Sequence, residues 1–218
     1  EEYQMPSEAL QQVGKINAAA TPKGMTSNAD YAEHLTKTGE DYRLLDAAEM
    51  QELTGIDYYQ GGLWTPGTAL LQPALYIRSL ADGVSQYSNL CLYENSPVID
   101  LIDEGRHESG TLWKAITMSG SVTSPKVILA VNGLIEKFGY FQKRLMHVFT
   151  YASMTRQLRG DEVKNLGGQA EWAFTSADPM GSSVRRLSGT GGDRIMIRNR
   201  FTYDPSMEVS QSRMMSVS

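Results

Sequence analysis

In Ser124-Pro125-Lys126-Val127-Ile128-Leu129-Ala130-Val131-Asn132-Gly133, a turn gives way to an unbroken apolar run that ends at Asn-Gly. A continuous apolar run bounded by turn residues reads as a strand buried on both faces, and a small residue with Gly at its end lets a backbone approach a ligand closely. Upstream, residues 98–102 are β-branched and apolar around one carboxylate, Asp100, as in a mostly buried strand. Asp103-Glu104-Gly105-Arg106 and its polar extension read as a turn, residues 112–118 as the next strand, and residues 120–123 as another turn. The pattern is a strand, a small β-meander and a buried strand, which fits many proteins that mix helix and sheet.

Toward the N-terminus, residues 1–40 read as helical and polar, with Ser7 and Asn28 as helix caps. Residues 42–45 form a short strand. Asp46 then caps a helix with Glu49 at the third helical position, and Gly55 stops it. Residues 57–65 read as an aromatic and Gly-rich strand ended by Pro66-Gly67. Residues 72–81 read as a helix with Pro73 in its first turn, closed by Asp82-Gly83. Toward the C-terminus, residues 145–158 are strand-like, 160–169 a polar loop, and 172–174, 184–187 and 194–201 further strands. The fold class is α+β: a mixed, largely antiparallel sheet with flanking helices, plus the small meander.

With 41% hydrophobic and 21% charged residues, the 218-residue chain is globular rather than disordered and long enough for one large core or two small ones. A net charge of -5 argues against a nucleic-acid partner. No apolar run approaches the ~18 residues that span a bilayer. The lone Cys91 excludes an internal disulfide, fits a reducing compartment, and its apolar neighbours make it a small core residue. His34, His107 and His147 are scattered without metal-ligand spacing, so no metal site is read and no catalytic residue assigned.

Asn95-Ser96-Pro97-Val98 before the meander and Ala130-Val131-Asn132-Gly133 after it resemble the middle of the flavin-dependent amino-acid oxidases and dehydrogenases, the D-amino-acid oxidase/dehydrogenase type. Leu45-Asp46-Ala47-Ala48-Glu49-Met50 is similar to that family's strand-to-helix junction. Gly61-Gly62-Leu63-Trp64 through Gln72-Pro73-Ala74-Leu75 is similar to its Gly-rich strand and following helix, and Asp193-Arg194-Ile195-Met196-Ile197 to a late strand. The resemblance implies FAD as cofactor. It also implies a division into a helical arm (1–41), a substrate-domain part (42–78 and 139–204), a remnant of an FAD-binding domain carrying the meander (79–138) and a truncated C-terminal element (205–218). The family's Gly-x-Gly-x-x-Gly turn, whose amides hold the pyrophosphate, is not in this sequence, and Gly191-Gly192 enters a strand rather than a helix. Arg198-Asn199-Arg200 stands where many members carry a Gly pair. On this reading the chain is an interior fragment, inactive by itself and unable to retain FAD.

Oxidation of an amine by flavin needs a positioned substrate more than a catalytic triad. A substrate carboxylate calls for an arginine, because a guanidinium makes paired hydrogen bonds. Arg185, Arg186, Arg194, Arg198 and Arg200 cluster in the last strands, with 194, 198 and 200 on one face. Arg194 and Arg198 are the substrate candidates, and each also reads as a solvated residue of a sheet edge. Tyr58, Tyr59, Trp64 and Tyr151 suit a pocket or a core equally, and Tyr59 and Tyr151 join the substrate set. The resemblance places Val98 against the adenine and Ala130, Val131, Asn132 and Gly133 near the ribose and pyrophosphate. The function expected is hydride transfer from the C–N carbon of an amino acid or related amine to FAD, in a protein that is cytoplasmic or peripheral to a membrane. The alternative is a non-catalytic protein-binding module.

Overall fold

Strand formation begins earlier than the composition predicts. The structure, a computed structural model, describes residues 5–107, 110–178, 180–205 and 208–217. After a 3-10 turn at Ser7–Ala9 come β1 (Leu10–Gln12) and β2 (Lys15–Ala19), so the helix expected after Ser7 does not form. In β2, Ile16 and Ala18 are buried while Lys15 and Asn17 are half-buried, the two-residue period of a strand. Pairing on both edges outweighs the helix preference of this Ala-rich stretch. Helix α1 (Pro22–Thr38) starts at Thr21, whose Oγ1 accepts from Gly24 N at 3.0 Å. Asn28 is not its cap: it lies inside the helix, buried, and donates from Nδ2 to Asn17 O at 2.9 Å.

β3 (Arg43–Asp46) runs directly into α2 (Ala47–Thr54) through the capping box expected there. Glu49 N donates to Asp46 Oδ1, and Asp46 N to Glu49 Oε2, both at 2.9 Å. Asp46→Ala is expected to destabilise the protein by about 1 kcal/mol. Urea denaturation reads this directly, and an unshifted midpoint would mean that packing alone sets the start of α2.

β4 (Gly61–Thr65), β5 (Ala69–Leu71) and α3 (Pro73–Val84) follow, β4 starting later than the strand expected from residue 57. The meander consists of β6 (Asp100–His107), β7 (Gly110–Thr117) and β8 (Gly120–Ser124). β6 runs through the expected turn at 103–106 with a register shift between Asp103 and Arg106, and the polar extension at 108–109 and the His107 side chain lie outside the described residues. Residues 120–123 are strand rather than turn, paired with β7.

The apolar run at 127–131 is not a strand. Ile128 is 92% exposed, and no strand lies beside this run among the described residues. Apolar composition favours a strand only where a neighbour completes the backbone ladder. A 3-10 helix (Asn132–Phe138) precedes β9 (Val148–Met154), which is shorter than the strand expected over 145–158.

The expected polar loop after it contains α4 (Gly160–Leu166), begun by an acidic first turn. Glu162 accepts from Arg159 N at 2.8 Å and from both terminal nitrogens of Arg156 at 2.8 and 2.6 Å. The Arg156 hydrogen bond above all, then the Arg159 amide, lowers the Glu162 carboxyl from 4.5 to about 2. A carboxyl depressed by folding adds stability above its unfolded value and loses it as pH falls through the folded one. The stabilising effect of Glu162 relative to Glu162→Gln should therefore be complete at neutral pH and fade between pH 4.5 and about 2. Paired thermal melts across that range test it; a difference independent of pH would rule out the ion pair as its source.

The chain closes with β10 (Trp172–Ser176), β11 (Ser183–Leu187), β12 (Arg194–Tyr203) and α5 (Gln211–Val217). The architecture is α+β. A seven-stranded mixed sheet has the order β3-β4-β2-β10-β11-β12-β9, and β2–β10 is parallel while the β3–β4, β2–β4, β10–β11 and β11–β12 pairs are antiparallel. β1 pairs with β5, and β6-β7-β8 form a separate antiparallel sheet.

The backbone divides into two units. One comprises Glu1–Asp82, Phe149–Thr202 and Val209–Ser218 and holds the large sheet. On one sheet face, α2 packs Met50 against Ile16, Ala18, Leu45, Trp172 and Phe174, with the last two rings stacked at 4.6 Å. On the other, α1 sets Ala32 and Leu35 on Leu63. The second unit comprises Gly83–Val148 and Tyr203–Glu208 and holds the three-stranded sheet. Among its described residues no apolar side chain is buried. Cys91 belongs to this unit and is exposed, not a core residue, because its apolar neighbours Leu90 and Leu92 are exposed as well.

Candidate functional site

Strand register sorts the late arginines by face. Ser183 pairs with Arg198 and Arg185 with Met196, which places Arg185 and Arg198 on one face of the large sheet. Arg186 pairs with Ile195 on the opposite face. β10 and β2 extend the first face. Thr175 pairs with Asn17, and Ala173 pairs with Arg185. One step back from the Phe174–Ile16 pair, Ala173 stands beside Lys15.

Two rows therefore cross the sheet. Asn17, Thr175, Ser183 and Arg198 form a polar row, bonded from Thr175 Oγ1 to Asn17 Oδ1 at 2.9 Å and from Arg198 Nη2 to Ser183 Oγ at 2.9 Å. Lys15, Ala173, Arg185 and Met196 form the second, in which the small Ala173 leaves a depression between two cations. A cavity of about 290 Å³ lies over these rows, and an adjoining one of about 410 Å³ shares Lys15, Thr175, Ser183 and Arg198 with it. Arg198 lies with its guanidinium carbon 5.4 Å from the Phe201 ring centroid, and its Nε is buried without a hydrogen-bond partner. Arg185 donates to Leu71 O at 3.3 Å. Among the described lining residues of the two cavities, Asp178 is the one carboxylate, and it lines only the second.

The other expected substrate residues lie elsewhere. Arg194 donates from Nε to Gly191 O at 3.1 Å and from Nη1 to Thr155 O at 3.0 Å, so its guanidinium ties the start of β12 to the chain leaving β9. Tyr59 is on the α2 face, edge-on to Phe174 at 5.4 Å, and lines a separate aromatic cavity of about 470 Å³ with Trp172, Ile195 and Ile197. Burial pushes its phenol above 10.0, and Tyr58 adds to the shift. Tyr151, on β9, shares a 2.7 Å hydroxyl hydrogen bond with Thr202. Arg198 and Tyr59 are thus on opposite faces of one sheet.

Lys15, Asn17, Thr175 and Ser183 were not anticipated. The signal for Lys15 was the alternation Lys15-Ile16-Asn17-Ala18 inside a stretch read as helix. A third buried polar site lies on the α2 face. Arg186 is 2% exposed and donates from Nη1 to Gly167 O, while its Nε and the neighbouring Trp172 Nε1 lack partners.

The expected cofactor residues belong to the second unit. Val98 precedes β6 and is 42% exposed. Ala130 and Val131 follow β8 in chain that forms no ladder, and Asn132, at φ 51, opens the 3-10 helix that contains Gly133. In the same unit His147 Nε2 meets Glu136 Oε2 at 3.0 Å, and that hydrogen bond is the main cause holding the Glu136 carboxyl below its ordinary value. Among the described residues, no helix is long and apolar enough to cross a membrane.

Comparison with curated proteins gives no match. Among solved structures, the fold is similar to glycine oxidase from Geobacillus kaustophilus (TM-score 0.71, 19% identity, covering 99% of this chain and 55% of that one). It is also similar to L-proline dehydrogenase from P. horikoshii (0.67, 16%, 99% and 56%) and to glycine oxidase from Bacillus cereus (0.65, 19%, 96% and 54%). The chain thus spans about half the length of the solved structures it matches. At these identities the likeness is one of fold. The model of a family described as FAD dependent oxidoreductase (DAO) matches residues 1–214, nearly the whole sequence, and the chain belongs to that family.

Proposed function

We propose that this chain is the substrate-holding part, with a portion of the cofactor site, of a protein that oxidises the C–N bond of an amino acid or related amine. The carrying observation is the cationic groove, where the half-buried Arg198 guanidinium forms no ion pair among the described residues. Such a donor suits a carboxylate, which can accept two guanidinium hydrogen bonds at once. Ser183 and the Phe201 ring fix the Arg198 head, so little side-chain freedom remains to be lost when a substrate arrives.

The described residues fit one end of FAD. Residues 125–131 carry backbone polar groups outside any ladder, beside the exposed Ile128, while Val98 offers further exposed apolar surface. That combination of backbone outside a ladder and apolar side chains suits a base and its ribose. Val98 is assigned to the adenine through its backbone, and Ala130, Val131, Asn132 and Gly133 to the ribose and pyrophosphate. FAD, when bound, supplies the acceptor for the hydride that leaves the carbon beside the amine nitrogen. Residues 42–78 and 139–204, together with β2, are assigned to substrate holding and 79–138 to the cofactor side, in a protein that works in the cytoplasm.

Anaerobic mixing of the full FAD-loaded protein with a panel of amino acids and amines tests this. At least one amine is expected to bleach the visible flavin absorbance. Bleaching by hydroxy acids or glycerol phosphate with none by any amine would overturn the C–N reading.

A further inference from the structure

We infer that the groove takes a substrate with two carboxylates, a dicarboxylic amino acid or amine, rather than one with a single carboxylate. This deepens the proposed function and rests on it only in taking one carboxylate to be the group beside the oxidised amine. The groove holds three cations, Lys15, Arg185 and Arg198, where one would orient a simple amino acid. Among the described residues no carboxylate forms an ion pair with any of them. Like charges gathered on a partly desolvated surface repel one another, and an anionic ligand relieves the repulsion.

The cations are also arranged in two groups. Arg198 stands in the polar row with Ser183, whereas Lys15 and Arg185 flank Ala173 in the next row on the same face. Rows separated by two residues lie about 7 Å apart at ~3.4 Å per residue, and Lys15 on β2 and Arg198 on β12 are separated further by the two strands between them, β10 and β11. A single carboxylate on Arg198 cannot meet Lys15 as well across that spacing. A second carboxylate a few carbons further along the ligand settles over Ala173, between Lys15 and Arg185. Substituting Ala173 by a larger residue would fill that seat. Asp178 lies on the lining of the adjoining cavity and not of this one, so the second seat has no built-in acid to compete with.

The test is calorimetric titration of the full FAD-loaded protein with glutarate and with butyrate, neither of which carries an amine to be oxidised. Glutarate is expected to bind at least about tenfold more tightly, the usual worth of an added charge-assisted contact. Lys15→Met should bring glutarate down to the affinity of butyrate while leaving butyrate unchanged. Ala173→Leu, which removes no charge, should do the same, so the conclusion does not depend on one variant folding. Equal affinity of the wild-type protein for the two acids overturns the inference, as does a parallel loss of butyrate in Lys15→Met. If neutral amino acids bleach the flavin while glutarate shows no preference, this inference fails and the amine-oxidation reading stands. If glutarate binds as described but no amine bleaches the flavin, the oxidation reading fails and the two-carboxylate groove stands.

Discussion

Replacing Gly55 by Ala is expected to lower the stability of the protein by about 3 kcal/mol, combining a forbidden backbone conformation with a clash that no rotamer relieves. Gly55 ends α2 at φ +82, with its N–H on Gln51 O at 2.8 Å. A Cβ there would lie 1.9 Å from Leu166 O and 2.8 Å from Gly167 C, both backbone atoms at the end of α4. The two helix ends are interlocked: Gln169 N donates to Leu53 O at 2.8 Å, and a Cβ on Gly168 would lie 2.4 Å from Thr54 C. The buried Arg186 also donates to Gly167 O, so pushing this junction apart disturbs a buried charge as well as the Met50 and Leu53 packing. Gly39→Ala is the control. Gly39 ends α1 in the same left-handed conformation, at φ +73, but a Cβ there would meet nothing within 4 Å. Its cost should be the conformational one alone, ~1 kcal/mol. Urea denaturation of both variants separates the two contributions, and a Gly55→Ala loss no greater than that of Gly39→Ala would mean that α4 yields freely.

The elements legible in the sequence are those whose cause is local. Asp46, Glu49 and Gly55 bracket α2 because a cap, a reciprocal carboxylate and a left-handed stop act within a few residues. Pro73 marks the first turn of α3, and the β-branched alternation of β12 marks a strand. The misread segments depend on distant partners. Residues 15–19 have a good helix composition, yet β4 and β10 claim both edges of that segment. Residues 127–131 have a good strand composition and no neighbouring strand among the described residues. The candidate site divides in the same way. Alternation within β12 puts Arg194, Arg198 and Arg200 on one face and names Arg194 and Arg198 alike as candidates, without separating them. Finding Lys15 on the same face required the parallel register of β2 on β10, and finding Tyr59 on the other face required knowing which side α2 covers.

If the proposed amine oxidation holds, Arg198→Leu is expected to lower kcat/KM of the FAD-loaded protein for the amine by about 100-fold, roughly 3 kcal/mol, the cost of leaving a buried carboxylate of the ligand without its charged partner. The loss should fall mainly on KM, because the carboxylate keeps its charge as the neighbouring C–H bond breaks and is held alike in ground and transition states. Arg198→Lys restores the charge but not the paired geometry, so it should recover part of the affinity. Arg194→Leu is the discriminating comparison, since Arg194 lies on the same strand and the same face. Its guanidinium already serves Gly191 O and Thr155 O, so its removal should lower the melting temperature and leave KM unchanged. Arg198 hydrogen-bonds one side chain, Ser183, and forms no ion pair among the described residues, so its charge is left for an acceptor from outside the chain. An unchanged KM in Arg198→Leu would remove the groove from the reaction. A KM effect confined to Arg194→Leu would move the carboxylate to the beginning of β12, where the protein already meets the guanidinium's needs.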